Sequence, residues 1–127
     1  MNGLALVTIL ALLEFSVLGI LVGRARGTYG VKAPATTGHP EFERYFRVHQ
    51  NTLEALIVFI PALWLFARYV NRPVAIALGL LFIIARIIYA RGYLQDPEKR
   101  GPGAAMTGGI NVILLVGALI GLIVHYL

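Results

Sequence analysis

Four long runs of apolar residues alternate with short polar segments along the chain. The runs cover about 2–23, 47–67, the residues that follow the turn 71–73 as far as 93, and 104–126. Each is about as long as a membrane-spanning helix, which takes roughly 20 residues. None alternates apolar and polar residues over the ~10 positions of a membrane β-strand. The pattern predicts one all-α integral membrane domain over 1–127, a bundle of four transmembrane helices.

Composition agrees with a membrane location. Of the 127 residues, 58% are hydrophobic and 13% are charged, whereas soluble domains average about 25% charged residues. The chain has no cysteine, which excludes disulfides, thiolate zinc sites and cysteine nucleophiles. Its three histidines are scattered without metal-ligand spacing, and we expect no metal.

The net charge of +5 is unevenly distributed. With four spans, the first and third loops lie on the same side of the membrane. The basic residues of that side are Arg24, Arg26, Lys32, Arg44, Arg47, Arg91, Lys99 and Arg100, and those of the opposite side are Arg68 and Arg72. The positive-inside rule then predicts cytoplasmic first and third loops. Because charges at helix ends set orientation and contact lipid head groups, we expect the bilayer and not nucleic acid as their partner.

The second and third spans also contain ionisable residues, which cost roughly 3 kcal/mol or more each inside a membrane. They form two stripes: Arg47, Asn51 and Glu54 at i, i+4 and i+7, and Arg86, Tyr89 and Tyr93 at i, i+3 and i+7. Such spacing places each set on one helix face. Since the second span starts and the third ends at the basic side, we expect the stripes to converge beneath Arg100.

Two interpretations of this cluster are open. In the first, Glu54 and Arg86 form a buried ion pair that holds the bundle together. In the second, the surplus of donors binds an anionic ligand, because arginine suits carboxylates and stays charged. Glu54 would then bind a ligand ammonium. Glutathione, with two carboxylates, one ammonium and one thiol, has this pattern, although composition alone does not single it out.

Two segments resemble the signature of the membrane-associated proteins in eicosanoid and glutathione metabolism. Residues 36–54 contain the motif ERxxRxxxNxxE, from Glu43 to Glu54. Residues 85–93 contain RxxYxxGY, followed seven residues later by Arg100. Either motif alone is weak, but both lie in register within a chain of matching length, loop sizes and number of spans.

The resemblance implies a left-handed four-helix bundle that forms a homotrimer, with glutathione sites between subunits. The positions that match the family's glutathione contacts are Arg26, Arg47, Asn51, Glu54, Arg86, Tyr89, Tyr93 and Arg100. His49 stands where relatives have Gln or His, which implies a minor ligand role. By this resemblance Glu54 binds the γ-glutamyl ammonium and the arginines bind the carboxylates. Arg100 is the expected catalytic residue, stabilising the thiolate that acts as nucleophile.

The implied activity is glutathione conjugation to a lipophilic electrophile from the bilayer, reduction of lipid hydroperoxides, or both. Gly27 stands where leukotriene-C synthase has an arginine proposed to assist epoxide opening, and Ala55 stands where it has a tyrosine. These departures favour a general bacterial-type member, expected in the inner membrane with its active face cytoplasmic.

Two alternatives differ in function. A four-span chain with a lone Glu14 in the first helix also looks like a small multidrug transporter, in which such a carboxylate binds protons and cationic drugs. In the enzyme interpretation Glu14 instead pairs within the trimer, with Asn111 or an arginine as partner. The second alternative is a family relative that has lost catalysis and acts as a scaffold, with no need of Arg100.

Overall fold

The computed structural model describes residues 2–127. It contains four α-helices and one short 3₁₀ helix, and no strand within this part of the chain. The helices are α1 (Asn2–Tyr29), α2 (Pro40–Tyr69), α3 (Arg72–Gln95) and α4 (Gly101–Tyr126), with the 3₁₀ helix at Pro97–Arg100. All four α-helices are long and apolar enough to cross a membrane. The predicted all-α four-helix architecture is confirmed, and the chain is a multi-pass integral membrane protein.

The helices extend beyond the apolar runs at the basic end of the bundle. α1 continues past 23 to Tyr29, and α2 begins at Pro40 instead of 47. The first loop, predicted to lie between the runs that end at 23 and start at 47, is therefore reduced to 30–39. The start of α2 is fixed locally, because the His39 side chain accepts the Glu41 backbone N–H at 3.1 Å and Pro40 occupies the first helical position.

The core lies around α2 and α3, since each of these contacts all the other α-helices. The rings of Phe59 in α2 and Phe82 in α3 stack at a centroid distance of 3.7 Å, and both are fully buried. Asn111 in α4 donates to the Ala55 carbonyl oxygen of α2 at 3.2 Å, so within the described chain it is not the partner of Glu14. The outer faces expose many Leu, Ile and Val side chains, as contact with lipid requires.

Two glycines allow the 3₁₀ helix and the start of α4 to pack closely against the end of α3. A Cβ on Gly92 would lie 2.6 Å from the Lys99 carbonyl oxygen, and one on Gly103 would lie 2.5 Å from the Tyr89 backbone. A larger residue at either position would push the two segments apart. This close approach brings Arg100 to the level of Tyr89.

Candidate functional site

A polar groove of about 380 Å³ lies where α2 begins and α3 ends. Its walls are formed by Arg47, Gln50, Asn51, Glu54, Tyr89, Tyr93 and Arg100. Six of the nine predicted site residues therefore meet in one groove, at the depth that the two stripes indicated. The volume is within the ~300–1,000 Å³ typical of ligand sites.

Gln50 is a groove residue that the sequence interpretation missed. It is exposed and lies between Arg47 and Asn51 in the wall supplied by α2. The signal was available, because positions 47, 50, 51 and 54 follow the i, i+3, i+4, i+7 spacing of one helix face. Its amide adds a neutral donor and acceptor to the groove.

Arg86 lies beneath the groove wall, with 2% of its surface exposed. Its Nη2 donates to Asn51 Oδ1 at 2.9 Å and to Thr52 Oγ1 at 2.7 Å. Its Nη1 donates to Thr107 Oγ1 in α4 at 3.3 Å. Arg86 therefore supports Asn51 from behind, and it is not among the residues that line the groove.

Of the two interpretations of the polar cluster, the one with a buried Glu54–Arg86 ion pair is not what the structure shows. Within residues 2–127 the single ion pair is Arg44–Glu41, at 3.6 Å, and the Arg86 guanidinium binds neutral oxygens. The reason is the phase of α2: Thr52 faces the interior, whereas Glu54 lies on the exposed side of the helix. The Glu54 carboxylate is thus left facing the groove.

Two tyrosines form the wall supplied by α3. The rings of Tyr89 and Tyr93 are 5.7 Å apart, and the Arg86 guanidinium lies 4.2 Å from the Tyr89 ring centroid. This cation–π contact and the burial of Tyr89, which is 5% exposed, fix the ring in place. Tyr89 and Tyr93 therefore form a firm surface opposite the polar side chains of α2.

Arg100 closes the groove from the 3₁₀ helix. Its Nη1 donates to the Pro97 carbonyl oxygen at 2.8 Å, which anchors one edge of the guanidinium. Arg100 is exposed, so the remaining N–H groups are accessible to a ligand. Together, Arg47 and Arg100 supply two fixed positive charges, and Glu54 supplies one negative charge.

A second polar cleft continues the groove toward the start of α2. It has a volume of about 340 Å³ and shares Arg47 and Tyr93 with the groove. Arg44 ties its two sides together, because its Nη1 lies 3.4 Å from the carbonyl oxygens of Leu94 and Gln95. The Arg44 of the sequence motif thus joins the start of α2 to the end of α3.

Arg26 and His49 lie away from the groove of their own chain. Arg26 donates to the Ala35 carbonyl oxygen at 2.7 Å and stacks over Phe42 at 4.8 Å from its centroid. His49 stacks on Phe15 of α1 at 4.4 Å. Within one chain, these two predicted ligands therefore do not join the other site residues.

The sequence of residues 4–120 matches the MAPEG family, which is the family of membrane-associated proteins in eicosanoid and glutathione metabolism. The chain belongs to the MAPEG family. The resemblance drawn from the two motifs is confirmed, and the match extends over nearly the whole chain.

Several MAPEG relatives are similar along most of their length. Human microsomal glutathione S-transferase 2 is 44% identical over 117 residues, which are 91% of this chain and 80% of that protein. The uncharacterized protein sll1147 of Synechocystis is 50% identical over 119 residues, 94% of this chain and 87% of that one. Rat leukotriene C4 synthase is 34% identical over 124 residues, with 98% and 83% covered. These relatives place the chain in a family of glutathione-conjugating membrane enzymes.

Neither of the two positions that depart from leukotriene-C synthase lines the groove of this MAPEG chain. Gly27 lies in the last turns of α1, and no heavy atom of the described residues is within 4 Å of the position of a Cβ there. Ala55 packs against the core beside Glu54, and its carbonyl oxygen accepts the Asn111 hydrogen bond. The groove residues are thus held without either side chain.

Proposed function

We propose that this MAPEG protein is a membrane glutathione transferase that conjugates glutathione to lipophilic electrophiles and also reduces lipid hydroperoxides. The observation that supports it most is the groove in which Arg47, Arg100 and Glu54 meet. Glu54 complements the ammonium of glutathione, Arg47 a carboxylate and Arg100 the thiolate. The named activities of the relatives support the same substrate.

In this proposal each end of glutathione has its own partner. The Glu54 carboxylate binds the γ-glutamyl ammonium, and Arg47 binds a carboxylate. Asn51, held by Arg86 at 2.9 Å, and Gln50 hydrogen-bond the peptide groups. The firm Tyr89–Tyr93 wall packs along the opposite side of the tripeptide and excludes water from it.

Arg100 acts on the sulfur. A free thiol has a pKa of about 8.5, and a neighbouring cation favours the thiolate, which is the nucleophile. Each unit by which that pKa falls corresponds to ~1.4 kcal/mol. With an aryl chloride, a carbon–sulfur bond forms and chloride leaves. With a hydroperoxide, sulfur takes the terminal oxygen, and a second glutathione completes reduction to alcohol, water and glutathione disulfide.

The groove receives Arg26 and His49 from a neighbouring subunit of a homotrimer. This proposal is supported by their positions, since neither lines the groove of its own chain, and by the open outer face of α2. On that face Leu53 and Ile57 expose 40% and 65% of their surfaces beside Glu54. A lipophilic acceptor then enters from the bilayer between subunits and reaches the sulfur sideways.

The active face is cytoplasmic, in the inner membrane of a bacterium. The argument is the charge asymmetry, with eight basic residues at the groove end of the bundle and two at the other. Glutathione then reaches the groove from the water phase through the polar cleft beside Arg47.

The two alternatives are less well supported. The transporter rests on Glu14 alone, and an arginine-rich groove repels the cationic drugs that such a carboxylate binds. The scaffold gives no reason for Arg100 to be anchored at the mouth of a glutathione-sized groove. The family match over residues 4–120 favours the transferase over the transporter.

Conjugation of glutathione to a chlorinated nitrobenzene by the purified protein in detergent tests the function. We expect turnover by the wild type and a loss of about a hundredfold in kcat for Arg100→Ala, the size expected when one electrostatic stabiliser of the reacting atom is removed. Arg68→Ala, at the opposite face, is the matched control and keeps full activity. No turnover by the wild type contradicts the transferase, and an unchanged kcat in Arg100→Ala contradicts the role of Arg100.

A further inference from the structure

Glu14 is a charged residue of α1 that the proposed reaction does not use. It lies in the middle of a membrane-spanning helix, where a carboxylate costs roughly 3 kcal/mol or more. Both carboxylate oxygens are shielded from the surroundings and have no hydrogen-bond partner within residues 2–127. A group placed at such cost requires a partner or a role.

The nearest space to this carboxylate is a cavity of about 400 Å³ between α1 and α3. Its lining is almost entirely aliphatic, with three charged exceptions: Glu14, Arg86 and Arg91. The cavity therefore brings the shielded acid of α1 together with the arginine that supports the groove from behind.

Within the described part of the chain, Arg86, like Glu14, lacks a counter-ion, and one of its N–H groups lacks an acceptor. Its two Nη atoms donate to Asn51, Thr52 and Thr107, but its buried Nε has no acceptor within the described residues. Its positive charge also faces neutral oxygens only. A buried arginine without a counter-ion is as costly as a buried carboxylate without one.

We propose that Glu14 is a positioning residue, the counter-ion of Arg86 across this cavity, and that it keeps Arg86 in the orientation that presents Asn51 to the groove. The two groups are not in direct contact, since within residues 2–127 Arg44–Glu41 is the single ion pair. Their attraction acts across the gap between the helices, because the aliphatic lining of the cavity screens it little. The effect on ligand binding rests on the proposed function, whereas the pairing itself does not.

Arg91 is the competing partner, because it lines the same cavity. It is exposed near the end of α3, where water and lipid head groups solvate its charge. Arg86 is 2% exposed, so neither water nor head groups solvate its charge. A counter-ion therefore stabilises Arg86 more than Arg91. A double-mutant cycle distinguishes the two, because Glu14 should be coupled to Arg86 and independent of Arg91.

The test measures the Tm of the purified protein in detergent and its Kd for glutathione. The variants are Glu14→Gln, Arg86→Gln, Arg91→Gln, and Glu14→Gln combined with each of the two arginine variants. We expect Glu14→Gln to weaken glutathione binding about tenfold, equivalent to ~1.4 kcal/mol. The fall in Tm for Glu14→Gln with Arg86→Gln should be smaller than the sum of the single falls. With Arg91→Gln the falls should add.

Two further variants serve as controls for charge and for position on α1. Glu14→Asp retains the charge and should restore binding, since an attraction across a gap tolerates a shorter side chain. Ser16→Ala, exposed on the same helix, should change neither Tm nor Kd. Additive falls in Tm with Arg86→Gln, or coupling with Arg91→Gln in its place, overturn the pairing. A wild type that binds no glutathione contradicts the proposed function, while the Tm cycle still decides the pairing.

Discussion

Two arginines near the groove, Arg86 and Arg100, have opposite surroundings and therefore opposite roles. Arg86 is buried, with its Nη atoms bonded to three side chains of α2 and α4. Arg100 is exposed, with one edge anchored to Pro97 and the rest facing the groove. A fixed, partly free guanidinium is suited to an anion such as a thiolate. A buried guanidinium whose Nη atoms bond three side chains is suited to holding those side chains in place.

Glu54 is expected to recognise one specific group of glutathione. In Glu54→Gln the charge-assisted bond to the ammonium is lost, and Kd for glutathione should rise about ten- to a hundredfold, ~1.4–2.8 kcal/mol. An analogue in which hydrogen replaces the γ-glutamyl amino group should bind both proteins equally weakly. Calorimetric titration measures both ligands. If Glu54→Gln weakens the analogue as much as glutathione, Glu54 does not bind the ammonium.

At this scale the sequence predicted which residues of α2 and α3 share a face, because the spacing of polar positions determines helix phase. It did not predict partners within the cluster. Arg86 donates to Asn51, Thr52 and Thr107 and not to Glu54. Which of these side chains it contacts depends on the rotation of the helices relative to one another, which spacing within one helix does not reveal. Nor did it show that Arg26 and His49 lie outside the groove of their own chain, because spacing does not distinguish contacts within a chain from contacts between chains.

At the scale of elements, the position of Arg100 depends on close packing between α3 and α4. Gly103 allows the first turn of α4 to lie against the Tyr89 backbone, and Gly92 allows the 3₁₀ helix to lie against α3. Neither contact involves a groove side chain. The geometry of the groove therefore depends on two positions outside it.

Gly103→Ala should reduce activity without unfolding the protein. A Cβ at 2.5 Å from the Tyr89 backbone forces the start of α4 outward and moves Arg100 with it. A displacement of about 1 Å can cost a hundredfold in rate, and we expect a loss of about that size in kcat. Gly108→Ala, in the same helix with no described heavy atom within 4 Å, is the control. Equal activity of the two variants, with circular dichroism unchanged, would contradict this role of Gly103.

The ends of the helices were harder to predict than their existence. Hydropathy marks the residues inside the bilayer, whereas α1 and α2 continue as helices into the polar layer, through Arg26 and from Pro40. The sequence held the signal for the start of α2, namely His39 before a proline at a helix's first position. The turn at Pro97–Arg100 was not predicted, because a 3₁₀ helix of four residues has no periodicity to detect.

At the scale of the whole molecule, polar residues gather at one end of an otherwise apolar bundle. The groove, the adjoining cleft and most of the basic residues lie at this end, and aliphatic side chains cover the outer faces of the helices. A water-soluble ligand and a bilayer-soluble one therefore approach the same site from different directions. This arrangement fits a reaction between glutathione and a lipophilic acceptor.

The orientation of the bundle can be measured directly, because the chain has no cysteine to interfere. In intact bacterial cells, a membrane-impermeant thiol reagent should label Val70→Cys, at the turn between α2 and α3, and leave Thr37→Cys unlabelled. Permeabilised cells should show both labelled. Labelling of Thr37→Cys in intact cells would place the active face outside.

Isothermal calorimetry on the purified protein measures whether the groove binds glutathione. We predict saturable binding by the wild type, abolished by Arg47→Ala in the groove and unchanged by Arg72→Ala at the opposite face. Absence of binding by the wild type, or wild-type affinity in Arg47→Ala, would contradict the account.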